Sequence, residues 1–150
     1  MIINKTNNIM IIKQLSVFLE NKVGRLTEMT KILSESNINI SAFSIADTAD
    51  FGIVRCIVSK PDEAYKVLKE KLFSVNITEV VGMIVPHEPG GLYKALKILS
   101  DNNVPVEYMY AFAFNSAASV IIRSESNEEV IRVLQNNKMK LLSASEVYEV

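Results

Sequence analysis

Lys31-Ile32-Leu33-Ser34 recurs unchanged, 66 positions further on, as Lys97-Ile98-Leu99-Ser100. Working outward from this tetrapeptide, the two halves of the 150-residue chain stay in phase without a gap. Gly24-Arg25-Leu26 falls on Gly90-Gly91-Leu92, Asn37-Ile38-Asn39-Ile40 on Asn103-Val104-Pro105-Val106, and Val67-Leu68 on Val133-Leu134. A self-match held in one phase over this length marks a duplication, with about 70 residues per copy. Residues 10–80 make the first copy and 81–150 the second. They follow an Asn-rich extension, residues 1–9, that lacks the apolar run of a signal peptide.

Each copy repeats one order of elements. In the first, Ile11 to Leu19 is apolar and β-branched and reads as a strand. Leu26, Met29 and Leu33 then make one apolar helical face within 24–36, closed by Asn37, a residue type that tolerates the left-handed conformation. Residues 38–46 and 51–59 read as strands around an Asp- and Thr-rich turn. Pro61 opens a second helix, where its missing N–H costs nothing, with Asp62 and Glu63 favourable to the dipole. Ala64, Val67, Leu68 and Leu72 are its apolar face, and 75–81 is the fourth strand. The second copy has a strand over 81–85, continuous with the one before it. A helix follows over 90–102 with Leu92, Ala95, Leu96 and Leu99 inward, then strands over 104–112 and 117–123. Ser126-Asn127-Glu128-Glu129 has capping-box spacing ahead of the helix 130–136, and 141–148 is the last strand.

Twice βαββαβ is the ferredoxin-like arrangement, an α+β fold. Right-handed crossovers put both helices of each copy on one face of a four-stranded antiparallel sheet. The other face stays open, and strand alternation assigns Phe18, Phe43, Ile53 and Tyr110 to it. Tyr108, Tyr110, Phe112 and Phe114 recur at period two and share one strand face. An open face carrying apolar side chains needs a cover: the two copies or two chains, with a homodimer the expectation, or pairing of edge strands into a longer sheet.

Composition narrows the function. The formal net charge is −1 with both signs interspersed, so no basic stripe points to nucleic acid. Cys56 and His87 are the only Cys and His, too few for a structural zinc site or an intramolecular disulfide, and no cofactor or metal is expected. No apolar stretch approaches the ~20 residues of a membrane span. A cytoplasmic chain is the expectation. The third strand lacks the aromatic and basic set of an RNA-binding sheet, neither loop holds Cys-x-x-Cys, and no nucleophile–base constellation is visible, so the chain is not read as an enzyme.

The loop between first strand and first helix carries the remaining signal. It reads Glu20-Asn21-Lys22-Val23-Gly24-Arg25-Leu26 in the first copy and Pro86-His87-Glu88-Pro89-Gly90-Gly91-Leu92 in the second. A glycine at a helix mouth lets a ligand approach the backbone. The first N–H groups of the helix are unpaired and, with the dipole, seat a carboxylate. Apolar strand, short polar loop, Pro-Gly-x-Leu, then an Asn-Ile pair opening the next strand resembles the ACT domain family over residues 10–150. Pro89-Gly90-Gly91-Leu92 matches that motif in full, and Val23-Gly24-Arg25-Leu26 matches it but for Val in place of Pro. The resemblance implies a stand-alone pair of regulatory domains that bind an amino acid and modulate a partner metabolic enzyme. It carries the ligand contacts to Asn21 and Asn39, with Lys22, Val23, Gly24, Arg25, Leu26 and Ile40 around them, and in the second copy to His87, Glu88, Pro89, Gly90, Gly91 and Leu92. His87 and Pro105 stand where the first copy has Asn21 and Asn39, so the two sites differ chemically. Blander readings stay open: tight turns for Gly24 and Gly90, a solvated strand residue for Asn39, an exposed loop side chain for His87. A docking subunit that binds no metabolite is the alternative function.

Overall fold

A computed structural model describes residues 10–48, 50–114 and 116–148; the extension 1–9 lies outside them, as does the side chain of Phe114. Two compact units are present. The first comprises Lys13–Thr78 together with Ser145–Tyr148; the second comprises Glu79–Ala144 with Met10–Ile12.

The first unit is built from β1 (Ile11–Glu20), α1 (Arg25–Glu35), β2 (Ile40–Asp47), β3 (Phe51–Val58), α2 (Pro61–Glu70) and the start of β4 (Ser74–Pro86). Its strands lie in the order β2-β3-β1-β4, and the β1–β3 and β2–β3 pairs are antiparallel. Alternation along β1 sends Leu15, Val17 and Leu19 to one face, where they meet Val54, Cys56 and Val58 of β3. Onto that face α1 packs Met29, Ile32 and Leu33, and α2 packs Ala64 and Leu68. Each such side chain, fully buried, contributes about 1.5–3 kcal/mol against exposure.

The second unit repeats the plan with the rest of β4, α3 (Gly91–Asp101), β5 (Tyr108–Phe114), β6 (Ala117–Arg123), α4 (Asn127–Asn136) and β7 (Lys140–Leu142). Its order is β5-β6-β4-β7, with each of these pairs antiparallel. The core gathers Met83 and Val85, Ala95 and Leu99, Val120 and Ile122, and Val130, Ile131 and Leu134. The left-handed residues that end the helices recur at the same offset: Asn37 and Asn103, Leu72 and Lys138. The ferredoxin-like α+β fold is present in both units.

Three expectations are corrected. Phe43 is not on the face opposite the helices: it pairs with Cys56, and Ile45 with Val54, both core-facing. The register shifts between Ile40 and Ala42, and one extra residue there turns the rest of β2 over. Leu72 does not line α2; it lies past the helix end at φ 66, exposed, and the turn it makes sends Phe73 into the core in its place. The last strand is only Lys140–Leu142, followed by α5, Ala144–Tyr148. Ser143 stands at a favourable N-cap position and Glu146 in the first turn, both helix-starting signals. The segment is fastened to the first unit, where Ser41 Oγ donates to the Val147 carbonyl at 3.0 Å and the Lys13 N–H donates to Tyr148 Oη at 2.7 Å.

Candidate functional site

The loop after the first strand has the same backbone in both units. The Asn21 N–H donates to the Asp50 carbonyl at 2.9 Å, and the His87 N–H to the Ser116 carbonyl at 2.9 Å. The N–H groups of Lys22 and Glu88 donate to the carbonyls of Glu20 and Pro86 at 2.9 and 3.0 Å. Gly24 and Gly90 then sit at φ 92 and 88, a conformation that glycine adopts without a steric cost, and neither helix has a side-chain cap. The N–H groups of Arg25 and Gly91 turn back to the Lys22 and Glu88 carbonyls at 3.3 and 3.0 Å, and with no side-chain cap the N–H groups that follow them in α1 and α3 are left for an external acceptor.

Beside each loop lies a concave site. In the first unit it has a volume near 120 Å³ and is lined by Leu19, Glu20, Asn21, Lys22, Leu26, Ile45, Asp47, Gly52 and Val54. In the second it measures about 250 Å³. Each of those nine positions, carried forward by the repeat offset, lines the second cavity: Val85, Pro86, His87, Glu88, Leu92, Ala111, Ala113, Ala118 and Val120, with Phe112 in addition. The cavity is therefore a property of the fold, placed between the loop, the helix start and the second and third strands. Leu26 and Leu92, which periodicity assigns to the core face, are instead 36% and 37% exposed and form its wall.

Of the residues expected from sequence, the cavities bring together Asn21, Lys22 and Leu26 in one unit and His87, Glu88 and Leu92 in the other. Val23 stands fully exposed at the loop tip, at the position of Pro89. The Arg25 guanidinium pairs with Glu28 at 2.8 Å and lies 4.3 Å over the Phe73 ring, away from the cavity lining. Gly91 is buried, and a Cβ there would meet the Pro86 carbonyl oxygen at 2.2 Å, so this glycine serves close packing of helix on strand. Asn39 and Ile40 line a different groove, of about 460 Å³, with Thr30, Ser34, Asn37 and Ile38. The Asn39 N–H donates to Ser59 Oγ at 3.0 Å. Within the first unit, Asn21 and Asn39 thus belong to separate concavities.

Sequence reading missed the walls supplied by β2 and β3 and by β5 and β6: Ile45, Asp47 and Gly52, and Ala111, Ala113 and Ala118. The shared repeat offset was the signal that would have paired them.

Glu20, Lys22 and Asp47 are the charged residues that line the first cavity. Lys22 Nζ and Glu20 Oε2 are 2.9 Å apart, and the hydrogen bond and charge of Lys22 hold the Glu20 carboxyl below its ordinary range. Asp47 adds a second carboxylate. Cys56 is buried on the core face, and burial pushes its thiol up to about 12, which removes it from chemistry at neutral pH. Among the described residues no cluster of three His, Cys, Asp or Glu could hold a metal, and no helix is long and apolar enough to cross a membrane.

A family model described as an ACT domain pair matches residues 10–150. No functionally curated protein matches the chain. Among solved structures, a protein from Bacteroides thetaiotaomicron is 55% identical, with a TM-score of 0.92, over 95% of this chain and 99% of that one. The ligand-free regulatory subunit of aspartate kinase from Thermus thermophilus is 17% identical with a TM-score of 0.63, over 83% of this chain and 91% of its own. Aspartate kinase from Clostridium acetobutylicum is 13% identical with a TM-score of 0.54, over 83% of this chain and 32% of its own. At these identities the two kinase structures share the fold.

Proposed function

This chain belongs to the ACT domain family as a domain pair, and on that premise we propose that it is a non-catalytic cytoplasmic sensor, binding an amino acid at the loop cavity and modulating a partner metabolic enzyme. The observation that carries this reading is the cavity itself, formed by equivalent positions in both units beside an uncapped helix start. An amino acid offers a carboxylate for the uncapped N–H groups that follow Arg25 and Gly91, and a side chain for the cavity. The mechanism is linkage: a ligand that binds one arrangement of the protein better than another shifts the population, and a partner reads the shift. The exposed aromatic pair of Phe18 and Phe51, stacked at 5.1 Å, supports a homodimer covering the sheet face, which sedimentation equilibrium reads directly.

A thermal-shift screen of the purified chain against all twenty amino acids tests the reading. A ligand at ~100 times its Kd adds about 2.7 kcal/mol, a readable rise in Tm. The expected result is a selective rise that is lost in a Leu26→Glu/Leu92→Glu variant, which places a charge in both cavity walls. A flat response at millimolar concentrations overturns the sensor reading in favour of the docking subunit.

A further inference from the structure

We infer that the two cavities have divided their work: the second admits an apolar side chain of an amino-acid-sized ligand, and the first does not. The inference rests on the reading of the loop cavity as a ligand site. At the equivalent positions Ile45 is replaced by Ala111, Asp47 by Ala113 and Glu20 by Pro86. Other walls hardly change, since Leu26 and Val54 recur as Leu92 and Val120. The replacements act in one direction. Cutting back a branched and a charged side chain accompanies an increase in volume from about 120 to about 250 Å³. The larger value nears the ~300 Å³ at which small-molecule pockets begin.

One replacement also changes the chemistry: an apolar group entering the first cavity would displace water from the Asp47 carboxylate, where the second has Ala113. In the second it would meet Val85, Leu92, Ala111, Ala118 and Val120. Burial of apolar surface there is favourable in proportion to its area. Glu88 and His87 line the same cavity and supply polar atoms for the ammonium and carboxylate ends of a ligand.

Titration calorimetry of the full chain with leucine, phenylalanine, serine and aspartate decides it. Leucine or phenylalanine should bind at one site per chain, at least tenfold tighter than serine or aspartate. Ala111→Ile/Ala113→Asp writes the first cavity's residues into the second and should weaken that binding at least tenfold. Ile45→Ala/Asp47→Ala does the reverse and should add a second, apolar-preferring site. Each residue brought in at 111 and 113 already occupies the same place in the other copy of the fold, and circular dichroism checks that both variants fold. Preference for serine or aspartate, or apolar binding untouched by the first variant, overturns the division while the cavity reading stands. Absence of the second site in the reverse variant also overturns it, and is readable even if the first variant does not fold. Failure of all twenty amino acids to bind overturns both.

Discussion

The loops Glu20–Leu26 and Pro86–Leu92 share a backbone and almost no side chains. Three hydrogen bonds donated by loop residues recur in each: to the turn before the third strand, to the end of the first strand, and from the first helical residue back into the loop. That last bond differs. The Arg25 N–H reaches the Lys22 carbonyl at 3.3 Å, whereas the Gly91 N–H reaches the Glu88 carbonyl at 3.0 Å. At the start of α3 a Cβ would meet the Pro86 carbonyl oxygen at 2.2 Å, so only glycine fits there. The pair shows which features the fold demands, because both copies keep them, and which are free to specialise, because they have parted.

Gly91→Ala is the strongest attack on this contrast. The added Cβ would lie 2.2 Å from a backbone oxygen, which cannot swing aside as a flexible side chain could. A loss of about 3 kcal/mol is expected by urea denaturation, the upper range for overpacking. Arg25→Ala, at the equivalent position, removes an exposed ion pair and one ring contact and should lose about 1 kcal/mol. Equal effects would mean that the two loops do not differ in tightness.

The shared glycines predict equality instead. A Cβ at Gly24 or Gly90 would touch nothing within 4 Å, so the whole cost of alanine is backbone strain at φ 92 and 88. Each of Gly24→Ala and Gly90→Ala should lose about 1–2 kcal/mol. A large gap between them would show that one loop changes its backbone once the glycine is gone.

The duplication made the fold readable, because each weak local signal was seen twice. Asn37 and Asn103 end their helices in the left-handed conformation that Asn tolerates, as residue type alone suggests. What escaped depends on long-range geometry. Nothing in Ile40-Ser41-Ala42 announces the register shift that turns Phe43 over, since a bulge is set by the partner strand. The end of the chain was ambiguous for another reason: Leu141 to Tyr148 carries enough β-branched and aromatic residues for a strand, while Ser143, Ala144 and Glu146 suit a helix start. The loop half of each cavity was visible as a motif. The wall from the second and third strands was not, because Ile45 and Asp47 acquire a role only when β2 and β3 bring them beside Leu26.

The smallest expected effect concerns the second helices of the two copies, which solve one problem differently. The start of α4 is capped by Ser126, whose Oγ accepts the Glu129 N–H at 3.3 Å. The reciprocal half of the capping box is redirected, since the Glu129 carboxylate pairs with Arg132 and is held below its ordinary range by that hydrogen bond. The start of α2 has Lys60 at the same position with no side-chain cap, and relies on Pro61, which removes one unpaired donor and fixes φ. Ser126→Ala should therefore lose about 1 kcal/mol. Lys60→Ala should stay within about 0.5 kcal/mol of the parent. Thermal denaturation of the two variants side by side checks this. A loss for Lys60→Ala as large as for Ser126→Ala would mean that Lys60, with Nζ 4.0 Å from Glu63 Oε2, supports its helix through charge as much as Ser126 does through a hydrogen bond. Repeating the measurement at high salt would separate the two, because only the charge contribution is screened.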